Sequence, residues 1–242
     1  MNIIINGAKG RMGRFVDECA TANGHAVVAR VDFGYGAGEG LRTLAEYQGP
    51  ADVVIDFSNH AATAQVTEYC VERDLPVVIA TTGQTDEEMA LIEGAAKAVP
   101  VFLSANMSLG VALLADLAKR AAAMFPAADI EIVERHHNQK LDVPSGTALL
   151  LARRIQEARP QAQFLVGRHE NGKRTRDEIG IHSLRLGNEV GVHEVIIATG
   201  SETITLKHEA ESRSLFAQGA LAAAAFVVGK APGMYDMRSI LE

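Results

Sequence analysis

Cysteine is nearly absent from this chain: Cys19 and Cys70 are the only two in 242 residues, and their spacing matches no paired metal or redox motif. A disulfide framework is thereby excluded. Both thiols, each set in a stretch that reads as amphipathic helix, are expected to be free and buried in a reducing compartment. Long apolar runs are missing too. The alanine-rich stretch 217–228 falls short of the roughly 18 to 20 residues that span a bilayer, and the opening MNIIINGAKG has neither the basic region nor the long apolar region of a secretory signal. The cytoplasm is the expected location. Positive charge is in deficit, with 23 Lys and Arg against 30 Asp and Glu for a balance of −7. That disfavours nucleic acid or an anionic membrane as the main partner and requires any anionic ligand to be drawn by a local basic patch. No repeat or low-complexity segment is present.

What remains, at 48% hydrophobic and 22% charged residues, is ordinary for a soluble globular chain and suffices for one large domain or two small ones. Residues 2–6 (NIIIN) read as a buried strand, GAKGRMG as a turn, RFVDECATA as a helix and HAVVARVD as a second strand. The pattern repeats, with strands ADVVIDFS, LPVVIATTG and PVFLSANMS and helices AATAQVTEYCVERD and TDEEMALIEGAAKA. Near-continuous Val and Ile strands alternating with helices predict a doubly wound parallel sheet covered on both faces. Asp32, Asp56 to Ser58, Thr81 to Gly83 and Ser104 to Met107 then fall along one edge, where such sheets bind ligands. Past Leu109 a long helix leads to the strand DIEIVERHH and the helix TALLLARRIQEA. From about residue 163 the segments FLVGRH, IGIHSLRLG, HEVIIATG and ETITLKHEA carry antiparallel-sheet patterning. The remainder reads as a helix and tail able to return to the first domain, and Gly34 to Gly40 as a mobile loop.

Gly7, Gly10 and Gly13 form G-x-x-G-x-x-G between a strand and a helix, a variant of the dinucleotide fingerprint. Glycine permits the tight turn and lets backbone N–H groups approach a pyrophosphate at the positive helix end. Alone, the spacing fits a plain Gly-rich turn as well. Asp32 favours the ligand: it closes the second strand 19 residues after Gly13, where a carboxylate accepts hydrogen bonds from an adenosine ribose. Asp32 followed by Phe33 points to NADH, because a carboxylate repels a 2′-phosphate. Lys9 and Arg11 are cations within reach of such a phosphate, so NADPH stays open.

The stretch EIVERHHNQKLDVPSGTALL, residues 131–150, brings His136, His137 and Lys140 close to a Pro-Ser-Gly-Thr turn. One reading is polar surface. A metal site is a second, disfavoured because neighbouring side chains on a strand point to opposite faces and no helical or cysteine-paired ligand motif accompanies them. The third is acid–base chemistry, with histidine titrating near neutrality and lysine supplying charge and a second donor. Ser145, Gly146 and Thr147 open a helix whose N–H groups suit a carboxylate. Cations and a helix start at one spot point to a small dicarboxylate.

E-R-H-H-N-Q-K-L-D-V-P-S-G-T-A-L, residues 134–149, resembles the signature of the dihydrodipicolinate reductase family, the 4-hydroxy-tetrahydrodipicolinate reductases of diaminopimelate and lysine synthesis. The likeness runs the whole chain through G-A-K-G-R-M-G, V-I-D-F-S, A-T-T-G, S-A-N-M-S, I-H-S-L-R and H-E-A-E-S-R, in the family's order. It implies an α/β enzyme of two domains. A Rossmann-type doubly wound parallel sheet would occupy 1–106, completed by 212–242, and an α+β substrate-binding and oligomerisation domain with an open mixed sheet would occupy 107–211 and build a homotetramer. By position, the resemblance makes His136 the proton donor, Lys140 a second catalytic donor and His137 a substrate ligand, and sets Gly146 and Thr147 on a substrate carboxylate. Gly7, Ala8, Lys9, Gly10, Arg11, Met12, Asp32, Ala80, Thr81, Thr82, Ser104, Ala105, Asn106 and Met107 would line NADH or NADPH. No metal is implied.

Ala80 stands where the family usually has the first Gly of Gly-Thr-Thr-Gly. Arg135, Asn138 and Gln139 replace residues that are often Ala, Arg and His, and Leu186 stands where a small residue is common. None removes a catalytic group; each bears on affinity or cofactor preference. The implied chemistry is hydride delivery to an unsaturated heterocycle with a proton from His136, gated by hinges near 105–110 and 209–215. The basic stretch 168–176 (RHENGKRTR) reads equally as an attractor of the dianion or a solvated hairpin. Another two-domain NAD(P)-dependent dehydrogenase and a non-catalytic dinucleotide sensor are the alternatives, and the His-His-x-x-Lys with Pro-Ser-Gly-Thr argues against both.

Overall fold

Unbroken Ile and Val runs dictate the first sheet. The computed structural model, which describes residues 1–241, begins β1 (Asn2–Asn6), α1 (Arg11–Ala22), β2 (Ala26–Val31), β3 (Val53–Asp56), α2 (Thr63–Glu72), β4 (Val77–Ile79), α3 (Asp86–Ala95) and β5 (Pro100–Leu103). It continues α4 (Leu109–Met124), β6 (Asp129–His136), α5 (Gly146–Ala158), β7 (Gln163–Val166), β8 (Glu178–Arg185), β9 (Gly191–Ala198), β10 (Thr203–Ala210), α6 (Ser214–Val227) and β11 (Gly233–Tyr235). Two units result: Met1–Ser108 together with the chain from Arg213 onward, and Leu109–Ser212.

The first unit is a six-stranded parallel sheet in the order β2-β1-β3-β4-β5-β11. Ile3 to Ile5, Val53 to Ile55 and Val77 to Ile79 are buried on both faces, and each such side chain stabilises the fold by about 1.5–3 kcal/mol. Register aligns Asn6 with Val31 and Asp56, Asp56 with Ile79, and Ile79 with Leu103. The strand ends therefore share one edge, and the chain changes direction of travel across the sheet at β1, which lies between β2 and β3. By pattern the residues after the last helix are a tail; in the structure Gly233–Tyr235 pairs with Pro100–Phe102 as a sixth strand. Three residues are too short for a periodicity signal.

Helix starts and close approaches follow from local chemistry. At α3, Thr85 accepts from Glu88 N while the Glu88 carboxylate accepts from Thr85 N, a reciprocal cap with acidic residues filling the first turn. α1 buries Gly13, Val16 and Ala20 on one stripe, and Gly13 is obligatory because a Cβ there would lie 2.2 Å from Gly7 O. α6 carries small residues on its buried face, among them Ala217, Ala220, Ala223 and Ala224, and packs against α1, β3, β4 and β5. A Cβ at Gly219 would sit 1.6 Å from Met107 O. Cys70 is buried in this core, where burial raises its thiol pKa, whereas Cys19 is only half-buried.

In the second unit α4 and α5 pack together against the sheet β10-β9-β6-β8-β7. β9 runs antiparallel to β6 and β10, as expected, but β7 and β8 run parallel to β6. Alternation along a strand reports which faces are buried and is silent on direction; α5, which carries the chain back between β6 and β7, is what makes them parallel. β6 alternates strictly, and its buried positions are Ile130, Ile132, Glu134 and His136.

Replacing Gly219 with Ala is expected to destabilise the protein by about 1–3 kcal/mol, the usual cost of overpacking, read as a lower midpoint in urea denaturation; an unchanged midpoint contradicts the close packing of α6 on the Met107 carbonyl.

Candidate active site

The edge of the first sheet is organised by Asp56. Its buried carboxylate accepts from Asn6 Nδ2 (2.8 Å), Ser58 Oγ (2.5 Å) and Thr81 Oγ1 (2.7 Å), so one group ties the ends of β1, β3 and β4. Burial raises its pKa in opposition to these bonds. Beside it, Gly7 sits at φ +83°, and a Cβ there would come within 2.6 Å of Phe57 O. Gly10 precedes α1 without any side-chain cap, which leaves the helix start with its partial positive charge for an anion.

Two cavities open along this edge. One of about 400 Å³ is lined by Gly7, Gly10, Asp32, Phe33 and Arg42 among others, and one of about 320 Å³ by Arg11, Met12, Ala80, Ala105, Asn106 and Met107 with Arg213 and Phe216. Phe57 lines both. The glycine cradle, the uncapped helix start and the Asp32 carboxylate at the end of β2 fit a dinucleotide. Ala8, Lys9, Thr81, Thr82 and Ser104 line neither cavity. Thr81 serves Asp56, and Ser104 Oγ donates to Asn106 O at 2.8 Å and shapes that turn. Lys9 Nζ donates to Gly34 O (2.8 Å) and Glu39 Oε2 (3.0 Å), so the cation is held by the neighbouring loop in an exposed ion pair. Arg42, which sequence reasoning passed over, lies 5.0 Å over the Phe33 ring in the Asp32 cavity.

The second unit brings the donors to a buried carboxylate. Glu134, fully buried, accepts from His136 Nδ1 at 2.5 Å, from Arg185 Nη1 and Nη2 at 2.9 Å each, and from Ser145 N at 3.1 Å. Four donors match the roughly four lone-pair positions of an ionised carboxylate. Burial disfavours its charge, yet the bonds from His136 and Arg185 outweigh that and hold Glu134 far below the usual carboxylate range. Ser145 caps α5 by accepting from Ala148 N (3.2 Å) and also meets His193 Nε2 at 3.1 Å. His193 stacks edge-on against His136, with ring centroids 5.1 Å apart. Burial, then the neighbouring His136, push His193 down to about 3. Gly191 packs against the Nε2 side of the His136 ring with no side chain between them, since a Cβ there would stand 2.9 Å from Nε2.

His137 follows the end of β6, its N–H donating to Glu189 O. Lys140 closes the next turn on His137 O and pairs through Nζ with Asp142 at 2.8 Å. Gly146 and Thr147 form the first turn of α5, and a Cβ on Gly146 would meet nothing within 4 Å. Glu134 lies two residues before His136 and so shares its strand face, a signal available in the sequence. Arg185 and His193 are cross-strand neighbours of His136 and Glu134, which only sheet topology brings there.

His193 binds its proton at about 3 in the fold against 6.5 for an ordinary histidine. Between those values the unfolded chain holds more protons, so stability falls as pH drops through that window, by up to about 1.4 kcal/mol per unit for this group. His193→Gln is expected to flatten the fall of the urea midpoint between pH 6.5 and 4.5; an unaltered slope contradicts a neutral buried His193.

Residues 1–107 match the family model described as dihydrodipicolinate reductase, N-terminus, and residues 110–241 the model for its C-terminus. The 4-hydroxy-tetrahydrodipicolinate reductases of Caldanaerobacter subterraneus subsp. tengcongensis and Exiguobacterium sp. are each 44% identical, across 100% of this chain and 98% and 96% of theirs. A dipicolinate-bound dihydrodipicolinate reductase from Paenisporosarcina sp. TG-14 superposes with a TM-score of 0.79 at 27% identity, covering 98% of this chain and 97% of that one. A probable dehydrogenase from Thermotoga maritima, at 11% identity and a TM-score of 0.64 over 99% of this chain and 92% of that one, shares the fold alone. With both halves matched and close relatives aligned end to end, this chain belongs to the dihydrodipicolinate reductase family.

Proposed function

We propose that this chain reduces 4-hydroxy-2,3,4,5-tetrahydrodipicolinate to 2,3,4,5-tetrahydrodipicolinate with NADH or NADPH, a step of diaminopimelate and lysine synthesis, in the cytoplasm and as a homotetramer. The observation that carries the reading is a buried histidine, His136, held beside the start of α5 in a chain whose other unit has a dinucleotide edge. Substrate and product differ by a hydroxyl group, so the net reaction takes up one hydride and one proton and releases water. A bound reduced nicotinamide supplies the hydride.

His136 gives the proton. Lys140, restrained by Asp142, adds positive charge and a second donor, and so favours a dianionic substrate. His137 is a substrate ligand, and one substrate carboxylate rests on the Gly146 N–H and Thr147 hydroxyl at the positive end of α5. On the first unit Gly7, Ala8, Gly10, Arg11 and Met12 hold the pyrophosphate side, Asp32 the adenosine ribose, and Ala80 to Thr82 with Ser104 to Met107 the nicotinamide side. Asp32, with Lys9 held by Glu39, favours NADH. α4 and α5 cover one face of the second sheet, and the opposite face is the surface for the homotetramer.

Steady-state kinetics on freshly generated hydroxy-tetrahydrodipicolinate test the reading: kcat/KM is expected to be higher with NADH than with NADPH, and equal or reversed values contradict the role of Asp32. His136→Gln is expected to lower kcat by roughly 10² to 10⁴-fold, the scale of a general acid, with NADH affinity kept; near-normal turnover rejects the role. Gly146→Ala meets no protein atom, so unchanged folding with a substrate KM raised about tenfold, or about 1.4 kcal/mol, is expected. Pyridine-2,6-dicarboxylate should compete with substrate and lose affinity in that variant; full inhibition of the variant contradicts the carboxylate cradle.

A further inference from the structure

We infer that Glu134 and Arg185 are positioning residues that lock the His136 ring, so that Nε2 alone exchanges the proton of the reaction. The inference rests on the reading of His136 as proton donor and deepens it by naming the atom and the groups that select it.

Glu134 has no exposed surface, and its two oxygens are shared among His136 Nδ1, both terminal nitrogens of Arg185 and Ser145 N. An ionised carboxylate only accepts. His136 Nδ1 must therefore carry a hydrogen in both the neutral and the charged ring, and the proton that comes and goes is the one on Nε2. That side of the ring faces Gly191, where the lack of a side chain leaves Nε2 uncrowded by a Cβ. In the donating step the Nε2–H bond breaks, its electron pair stays on Nε2, and the proton forms a new bond to the substrate, which in the net reaction gains a hydride from the reduced dinucleotide and loses its hydroxyl group as water. The ring is left neutral with Nδ1–H still given to Glu134, and solvent restores the Nε2 proton.

Arg185 supplies what Glu134 alone lacks. A lone buried carboxylate would hold the imidazolium too firmly to release its proton. The bidentate guanidinium takes one lone pair on each oxygen and offsets the negative charge. Ser145 N binds the same oxygen as Arg185 Nη2, so the start of α5 and the donor ring are fixed to one group. The titratable and charged groups around His136 are Glu134 on its own strand, Arg185 on β8 and His193 on β9, with Lys140 and His208 acting on His193. His193 is held neutral and so adds no charge opposing the imidazolium.

Long-range ¹H–¹⁵N spectra of histidine-labelled full-length protein, with His136→Gln as the assignment control, read the tautomer without any turnover. Neutral His136 is expected to show a protonated Nδ1 and a bare Nε2; an Nε2–H tautomer overturns the inference whether or not any variant folds. Two variants provide the kinetic counterpart. Glu134→Gln removes the anion facing the imidazolium and is expected to move the alkaline limb of the kcat/KM profile down by about 1 to 3 pH units; Arg185→Met removes the cation and is expected to move it up. A purely structural role lowers activity in both without moving the limb, and unmoved or like-directed limbs overturn the inference. Normal turnover in His136→Gln instead removes the proton-donor reading, while the tautomer result is read independently of it.

Discussion

A carboxylate with no access to water can stay ionised only if donors fill its lone pairs, and that requirement on Glu134 organises the second unit. Four donors converge from three elements: the ring of His136 on the same strand, the fork of Arg185 on β8, and the N–H of Ser145 at the start of α5. Removing one partner of such a buried pair typically costs about 3–5 kcal/mol, because the other charge is left without compensation. The register of β6 against β8 and the docking of α5 are thereby coupled to the orientation of a titratable ring. On the proposed role of His136, stability and chemistry depend on the same bonds.

The first unit uses the same device for another purpose. Asp56 is buried at the end of β3 and collects Asn6, Ser58 and Thr81, which belong to β1, the turn after β3 and the segment after β4. The glycine turn stands on that framework, and Gly7 and Gly13 admit no Cβ because backbone already occupies the space. Each unit thus has one buried carboxylate where its polar strand ends meet. The two differ in partners: Asp56 faces neutral donors and burial raises its pKa, whereas Glu134 faces a guanidinium and an imidazole and is held low.

Much of this was legible in the amino-acid order. The Val and Ile strands, the glycine turn and the strand-end polar residues fixed the parallel sheet and its ligand edge, since each depends on local spacing. His136 and the start of α5 were legible for the same reason, and Glu134 was available from the two-residue period of β6. Arg185 and His193 were not, because 49 and 57 residues separate them from His136 and only the β8-β6-β9 order makes them neighbours. Strand direction escaped as well, because alternation is the same in parallel and antiparallel strands. The pairing of Lys9 with Glu39 was not legible for a related reason: Glu39 lies across a loop whose path no periodicity reports.

Glu134 is an anion whose lone pairs are filled by four donor groups from three residues. Titration of its side-chain carboxyl ¹³C resonance, assigned with the Glu134→Gln variant, addresses this directly. The resonance is expected to stay at its ionised position from pH 8 down to the pH at which the protein unfolds. A midpoint within the ordinary carboxylate range, near 4.5, would contradict it, and with it the shared anchoring of His136, Arg185 and α5.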